Sequence, residues 1–235
     1  MSLFAVLVLA AVLMELLIGI RLVALSLRTG GLPERLWGVA WILDATSQGG
    51  AELTRLVVDT PAFVPLNAFT AALGSGAIVS LLAGIWLVFR AEVHWMRWFV
   101  AALAFALGAV FVALLFQGQV AKFPGQPAPA MTWVNRVTAA GLLLYGGVET
   151  TLAYRASERR LRLGLSTRLE STRFLLWGIA AFCLFAFLAL LMARDLLGVP
   201  STVVRLAQPA LALGSVLSMW LTFFPPDWMR KRLAV

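Results

Sequence analysis

Long apolar runs recur along almost the whole chain, broken only by short polar or basic segments. This pattern constrains the fold more than any motif does. A backbone crossing a bilayer must satisfy its hydrogen bonds internally, and one run does so as a helix of about 20 residues. Seven spans are predicted, near residues 3–27, 35–56, 66–89, 95–117, 132–155, 173–194 and 200–224. The second is the least apolar, because Asp44, Thr46, Ser47, Gln48, Gly49, Gly50 and Glu52 interrupt it. No basic segment precedes the first run, which is also too long for a signal-peptide core, so it reads as a retained helix. Composition agrees. The chain is 61% hydrophobic and 13% charged, against about 45–50% and 25% in soluble domains. An all-α, polytopic membrane protein is the expectation, and an aqueous globule of 235 residues is excluded.

The basic residues set an orientation. With seven spans, 13 fall on one side: Arg28, Arg35, Arg90, Arg97, the six arginines from Arg155 to Arg173, and Arg230-Lys231-Arg232. Five fall on the other: Arg55, Lys122, Arg136, Arg194 and Arg205. Removing the second span gives 11 against 7, a weaker bias. The N-terminus is therefore expected outside and the C-terminus in the cytoplasm. Trp37, Trp86, Trp95, Trp98, Trp177 and Trp228 fall near the same cytoplasmic interface, where amphipathic rings anchor. The net charge of +8 then describes orientation, and no nucleic-acid partner is expected. Segment 155–173 reads as a solvated stretch facing anionic lipid. With the C-terminal basic residues it is also the expected face for a protein partner. The outer stretch 117–129 is rich in proline and glycine and reads as a linker.

An internal repeat is expected. Glu15, Arg21 and Arg28 recur as Glu149, Arg155 and Arg162, an offset of 134. Leu36-Trp37-Gly38-Val39-Ala40 recurs as Leu176-Trp177-Gly178-Ile179-Ala180, an offset of 140. Val64-Pro65 recurs as Val199-Pro200. Trp86-Leu87 with Phe89 recurs as Trp220-Leu221 with Phe223, and Trp95-Met96-Arg97 as Trp228-Met229-Arg230. The offset changes only between helices. The plan is a parallel 3+1+3 repeat: residues 1–98 as the first triplet, 95–131 as a linker helix with its outer loop, and 132–235 as the second triplet with a basic C-terminus. In this layout the chain resembles seven-helix proteins of the sugar-transporter and PQ-loop type. The Pro-Gln signature is absent, and Gln208-Pro209 has the two residues in reversed order. The ending Phe223-Phe224-Pro225-Pro226, followed by Trp228 and Arg230, is also similar to small bacterial seven-helix proteins of no assigned function. These likenesses imply a multi-pass protein of the cell (inner) membrane.

Polar residues within spans are costly and mark candidate sites. Asp44, Gln48 and Glu52 recur every fourth residue, with Ser47 beside them, so they form one stripe on the second helix. The matching positions of the sixth span are Leu184, Leu188 and Met192. Gly49-Gly50 inside the stripe suggests a broken helix of the kind found at transporter binding sites; a close helix crossing is the alternative. A hairpin turning near residues 31–32 would put Arg21 level with Asp44 and Glu15 level with Gln48. A buried Arg21–Asp44 ion pair with Glu149 nearby is expected, and Glu15, with no cation at its level, is the candidate proton carrier. Toward the outside, Glu52, Arg136 and Arg205, near Asn135 and Gln208, would rim a cavity for an anionic or zwitterionic solute.

Other chemistries find no support. His94 is the only histidine and Cys183 the only cysteine, so multi-histidine metal and haem sites are absent, and no metal or other cofactor is expected. Ser75 has no histidine base within the spans. The only lysines are Lys122 and Lys231, so a retinal Schiff base on the last span is excluded. No enzyme is expected. The sequence favours a carrier of a small polar or amphipathic solute, its cavity lined by the first, second, fifth and seventh helices. The alternatives are a non-catalytic receptor and an accessory subunit of a larger membrane complex.

Overall fold

The computed structural model describes residues 3–54, 57–121, 128–197 and 201–233. It is all-helical, about 87% helix, with no strand among the described residues. The helices are α1 (Leu3–Thr29), α2 (Leu32–Thr54), α3 (Phe63–Phe89), α4 (His94–Phe116), α5 (Ala130–Arg162), α6 (Arg168–Leu197), α7 (Ser201–Phe223) and α8 (Asp227–Leu233). Stretches Leu9–Thr29, Phe63–Phe89, His94–Phe116, Arg168–Leu197 and Thr202–Phe223 are long and apolar enough to cross a membrane. These five mark a membrane protein. α2 and α5 fall short on composition. α2 carries the Asp44–Glu52 stripe, and α5 runs from Arg136 through Glu149 into a terminal turn holding Arg159, Arg160 and Arg162.

The stretch between the fifth and sixth spans is largely exposed and mostly helical. α5 continues to Arg162 and α6 begins at Arg168, leaving only residues 163–167 between them. Gly164 closes α5 at φ +71°. Leu165 N–H donates to the Arg160 carbonyl at 2.9 Å and Gly164 N–H to Leu161 at 3.0 Å, a Schellman ending that needs this glycine. Of the outer linker, residues 122–127 lie outside the described residues, as do Arg55, Val199 and Pro200.

The chain divides into two compact units, Met1–Ala139 and Ala140–Val235. The division falls inside α5 rather than in the linker, and α4 belongs to the first unit. There α1 and α2 form a tight antiparallel hairpin. A Cβ on Gly38 would lie 2.8 Å from the Gly19 carbonyl oxygen, and one on Gly19 would lie 2.7 Å from Ile42. α2 then packs on α3, with the Trp37 indole over Gly84, where a Cβ would lie 2.2 Å from Nε1. α4 packs on α3.

In the second unit Gly178 of α6 faces Thr150 of α5, and Phe182 covers Gly147. α6 packs on α7, where Trp177 meets Phe223 edge-on at 6.1 Å. The short α8 returns to α6.

Burial follows similar registers in the two units. Trp37, Gly38, Ala40 and Trp41 are buried in α2, and Trp177, Gly178, Ala180 and Ala181, each 140 residues on, in α6. Leu82 and Ile85 of α3 match Val216 and Met219 of α7, an offset of 134, and Met96 matches Met229. For α1 and α5 the buried positions align at 131, not 134: Ala11 with Leu142, Gly19 with Thr150, Ser26 with Ser157. On that register Glu15 corresponds to Gly146, and Glu149 to Ile18. The tryptophans also divide. Trp95, Trp98 and Trp228 are exposed, but Trp37 and Trp177 are buried within their units.

Candidate polar site between the first two helices

The hairpin register decides which polar groups of α1 and α2 meet. The turn at Gly30, where φ is +72°, puts Val23 beside Gly38 and Val12 beside Gly49. The long Gln48 side chain then reaches α1. Its Nε2 donates to Glu15 Oε2 at 3.1 Å and to Asp44 Oδ2 at 2.9 Å. One amide has two N–H donors, and each carboxylate takes one. Glu15 is 3% exposed, Asp44 is half-buried and Gln48 is exposed. The site has a closed end on α1 and an open end on α2.

The expected alignment of Glu15 with Gln48 is present. The expected Arg21–Asp44 pair is not among the contacts described for Asp44, which go to Gln48. The packing of Val23 on Gly38 puts Arg21 level with about residue 40, one turn short of Asp44, and its side chain is exposed. Glu149 is 8% exposed on α5, in the second unit.

The helix break expected at Gly49 and Gly50 is also absent, because α2 runs unbroken through both. Gly50 instead lets α3 approach. A Cβ there would lie 2.5 Å from Thr70 Cγ2. The neighbouring Ser47 hydroxyl donates to the Thr70 carbonyl at 2.8 Å.

This contact opens a second polar line, on the side of α2 that faces α3. Ser47 Oγ lies 3.3 Å from where a Cβ of Gly74 would stand, and Asn135 Nδ2 lies 3.6 Å from the same point. Asn135 Nδ2 donates to the Ala71 carbonyl at 3.3 Å, and the Ser75 hydroxyl donates to Asn135 Oδ1 at 2.9 Å. Thr70 and Ser75 therefore belong with the stripe, although no sequence pattern groups them with it. Their hydroxyls can always back-bond within their own helix, so only the α2–α3 register shows the connection.

The outer residues are less closely joined. Glu52 is exposed in the last turn of α2. The Arg136 guanidinium stands 5.8 Å from the Trp133 ring, one turn earlier on α5. Gln208 is half-buried on α7, and the side chain of Arg205 lies outside the described residues. Among the described residues no three His, Cys, Asp or Glu side chains gather as metal ligands.

Comparison with protein-family models, curated proteins and solved structures finds no match to this chain. The functional reading therefore rests on the chain's own geometry.

Proposed function

We propose that this is a multi-pass protein with seven spans in a 3+1+3 order along the chain, and that it binds and carries a small polar solute. Its C-terminus and the α5–α6 turn would face the cytoplasm. One observation carries the reading: the Gln48 amide links two carboxylates, Glu15 and Asp44, within an apolar hairpin. Adjacent carboxylates in a low-dielectric site favour a positive charge between or beside them. A solute bearing an ammonium or several hydrogen-bond donors fits this arrangement. The exposed Gln48 gives it access, while the buried Glu15 closes the inner end. Ser47 and Glu52 extend the polar surface along α2. Similar burial registers in the two units support the repeat on which the 3+1+3 layout depends.

The test is binding, then transport. The full chain in mild detergent is screened by thermal shift against small amines, amino acids, sugars and carboxylates, and ligands that stabilise it are tried for uptake into proteoliposomes. At least one donor-rich solute should stabilise the protein and be taken up. Asp44→Asn with Gln48→Ala should abolish both effects. Uptake unchanged in that double variant would overturn the site.

A subunit role is favoured by a different observation. Only about 6% of the most apolar window of α4 is buried, and Phe105 and Phe116 are 79% and 87% exposed. A monodisperse single-chain species by light scattering in mild detergent would count against it.

A further inference from the structure

The second unit carries a groove that the solute site does not use. It is a cleft of about 100 Å³ between α5 and α6, lined by Thr151 and Tyr154 from α5 and by Phe174, Gly178, Ile179 and Phe182 from α6. Its wall is apolar and open, with Ile179 and Phe182 at 42% and 39% exposure. The Thr151 hydroxyl is occupied by the Gly147 carbonyl at 2.7 Å, so the wall offers little polarity.

The ends of the cleft are unlike. Toward the α5–α6 turn, Arg155 and Arg159 continue the line of Thr151 at four and eight residues, and Arg168 lies seven residues before Leu175, which also lines the cleft. Spacings of four and seven keep residues on one helix face. All three arginines are exposed. Glu158 lies between them, and its carboxylate accepts a hydrogen bond from Ser171. The segment 155–173 holds six arginines against two glutamates, Glu158 and Glu170, so this end is strongly positive. In the opposite direction α6 continues as apolar helix, and α5 does so beyond the buried Glu149 and Thr150.

We infer that this groove is a binding site for an anionic phospholipid, with an acyl chain in the α5–α6 cleft and the phosphate at Arg155, Arg159 and Arg168. An apolar slot that ends in exposed guanidinium groups matches an amphipathic anion along its length. A soluble anion would leave the slot empty, and a zwitterionic lipid would gain less from the arginines. The Tyr154 ring lies where chain gives way to headgroup, the usual place for an amphipathic aromatic. The inference rests on the membrane reading and is independent of any carried solute.

Native mass spectrometry of the full chain, titrated with phosphatidylglycerol or phosphatidylcholine of matched acyl chains, tests it. Phosphatidylglycerol should bind more tightly, by roughly five-fold for each arginine that meets the headgroup. Arg155→Gln, Arg159→Gln and Arg168→Gln together, all on the exposed surface, should remove the preference while lowering phosphatidylcholine binding far less than phosphatidylglycerol binding. Leu175→Trp, which narrows the cleft, should weaken both lipids. Glycerol phosphate should compete poorly. Equal binding of the two lipids in the unmodified protein would overturn the assignment, as would a preference that survives the arginine changes. Full competition by glycerol phosphate would show that the cleft takes no chain. Solute uptake should be unchanged in the arginine variant, so failure here and failure of the carrier reading are separable.

Discussion

α2 and α6 bury the same four positions against their neighbours, yet one carries a line of polar groups and the other does not. Trp37, Gly38, Ala40 and Trp41 have counterparts in Trp177, Gly178, Ala180 and Ala181. Beyond them α2 presents Asp44, Gln48 and Glu52 where α6 presents Leu184, Leu188 and Met192. The helix-packing scaffold is therefore separable from polarity. Two helices can share a packing face while only one departs from the apolar composition that lipid favours. In the first unit that departure coincides with the Glu15–Gln48–Asp44 link, which gives the polar groups internal partners.

The largest effect should come from forcing α6 to resemble α2. Leu184→Asp places a carboxylate where α6 is otherwise apolar, at a cost of about 2.5–3.5 kcal/mol at a span centre. Yield of monodisperse protein and its thermal midpoint in mild detergent should both fall sharply. A midpoint equal to that of the unmodified protein would show that this position of α6 already faces a polar environment.

The converse change should cost less and be reversible. Gln48→Leu leaves two carboxylates without their shared donor, and an unsatisfied buried group costs about 1–3 kcal/mol. Adding Glu15→Leu and Asp44→Leu makes this part of the hairpin apolar, like its counterpart. The triple variant should regain most of the lost thermal stability while losing any solute effect. If it is less stable than Gln48→Leu alone, the network is part of the scaffold and the two units are not separable in this way.

A third comparison uses the paired crossing glycines. A Cβ on Gly38 would lie 2.8 Å from the backbone oxygen of Gly19, whereas a Cβ on Gly178 would first meet the Thr150 hydroxyl at 3.1 Å. Backbone cannot yield without spreading the hairpin, but a hydroxyl can shift by a few tenths of an ångström. Gly38→Ala should therefore destabilise by about 1–2 kcal/mol, within the usual range for overpacking, and Gly178→Ala by less. Thermal midpoints of the two variants measured side by side decide the order.

Much of this architecture was legible in the sequence, and its gaps have physical causes. Five of the helices follow from the length of their apolar runs, whereas α2 and α5 carry too many polar residues to be apolar runs in the same sense. α8 has only seven residues, too short to show as a run. The far end of α5 and the start of α6 show in the sequence only as a polar surface; that they are helical follows from arginine being a good helix former, and both helices continue through it. Glu15 and Gln48 were aligned correctly because a hairpin fixes register to within a residue or two and Gln48 is long. Arg21 and Asp44 were not, because an error of one turn is enough to separate a pair. Gly49-Gly50 could be read as a break or as a close crossing, and only the position of Thr70 distinguishes them. The 134-residue match of Glu15 to Glu149 was misleading for a related reason. Identity between single charged residues is weak beside the register of a whole buried face.

That buried face supplies the finest comparison. Ser26 and Ser157 occupy matching positions on α1 and α5 and are 0% and 3% exposed. The Ser26 hydroxyl donates to the Val23 carbonyl of its own helix at 2.8 Å. The Ser157 hydroxyl instead lies 3.1 Å from that of Ser166, in the turn, and Ser166 donates to Glu170 at 3.0 Å. The difference follows from chain length. From Ser26 to Trp37 is 11 residues, and from Ser157 to Trp177 is 20. The nine additional residues lengthen both helices and bring Ser166 back over Ser157. Ser26→Ala removes only a bond that competes with the helix backbone, so stability should change by no more than a few tenths of a kcal/mol. Ser157→Ala removes a tie across the hairpin, worth about 0.6 kcal/mol for hydrogen bonds of this kind in membrane proteins. Hydrogen exchange at residues 163–167 is the sharper measure. It should quicken in Ser157→Ala, whereas Ser26→Ala should leave exchange at the α1–α2 turn unchanged. Equal quickening at the two turns would mean that the longer hairpin is held by its helices alone and that the serine tie contributes nothing.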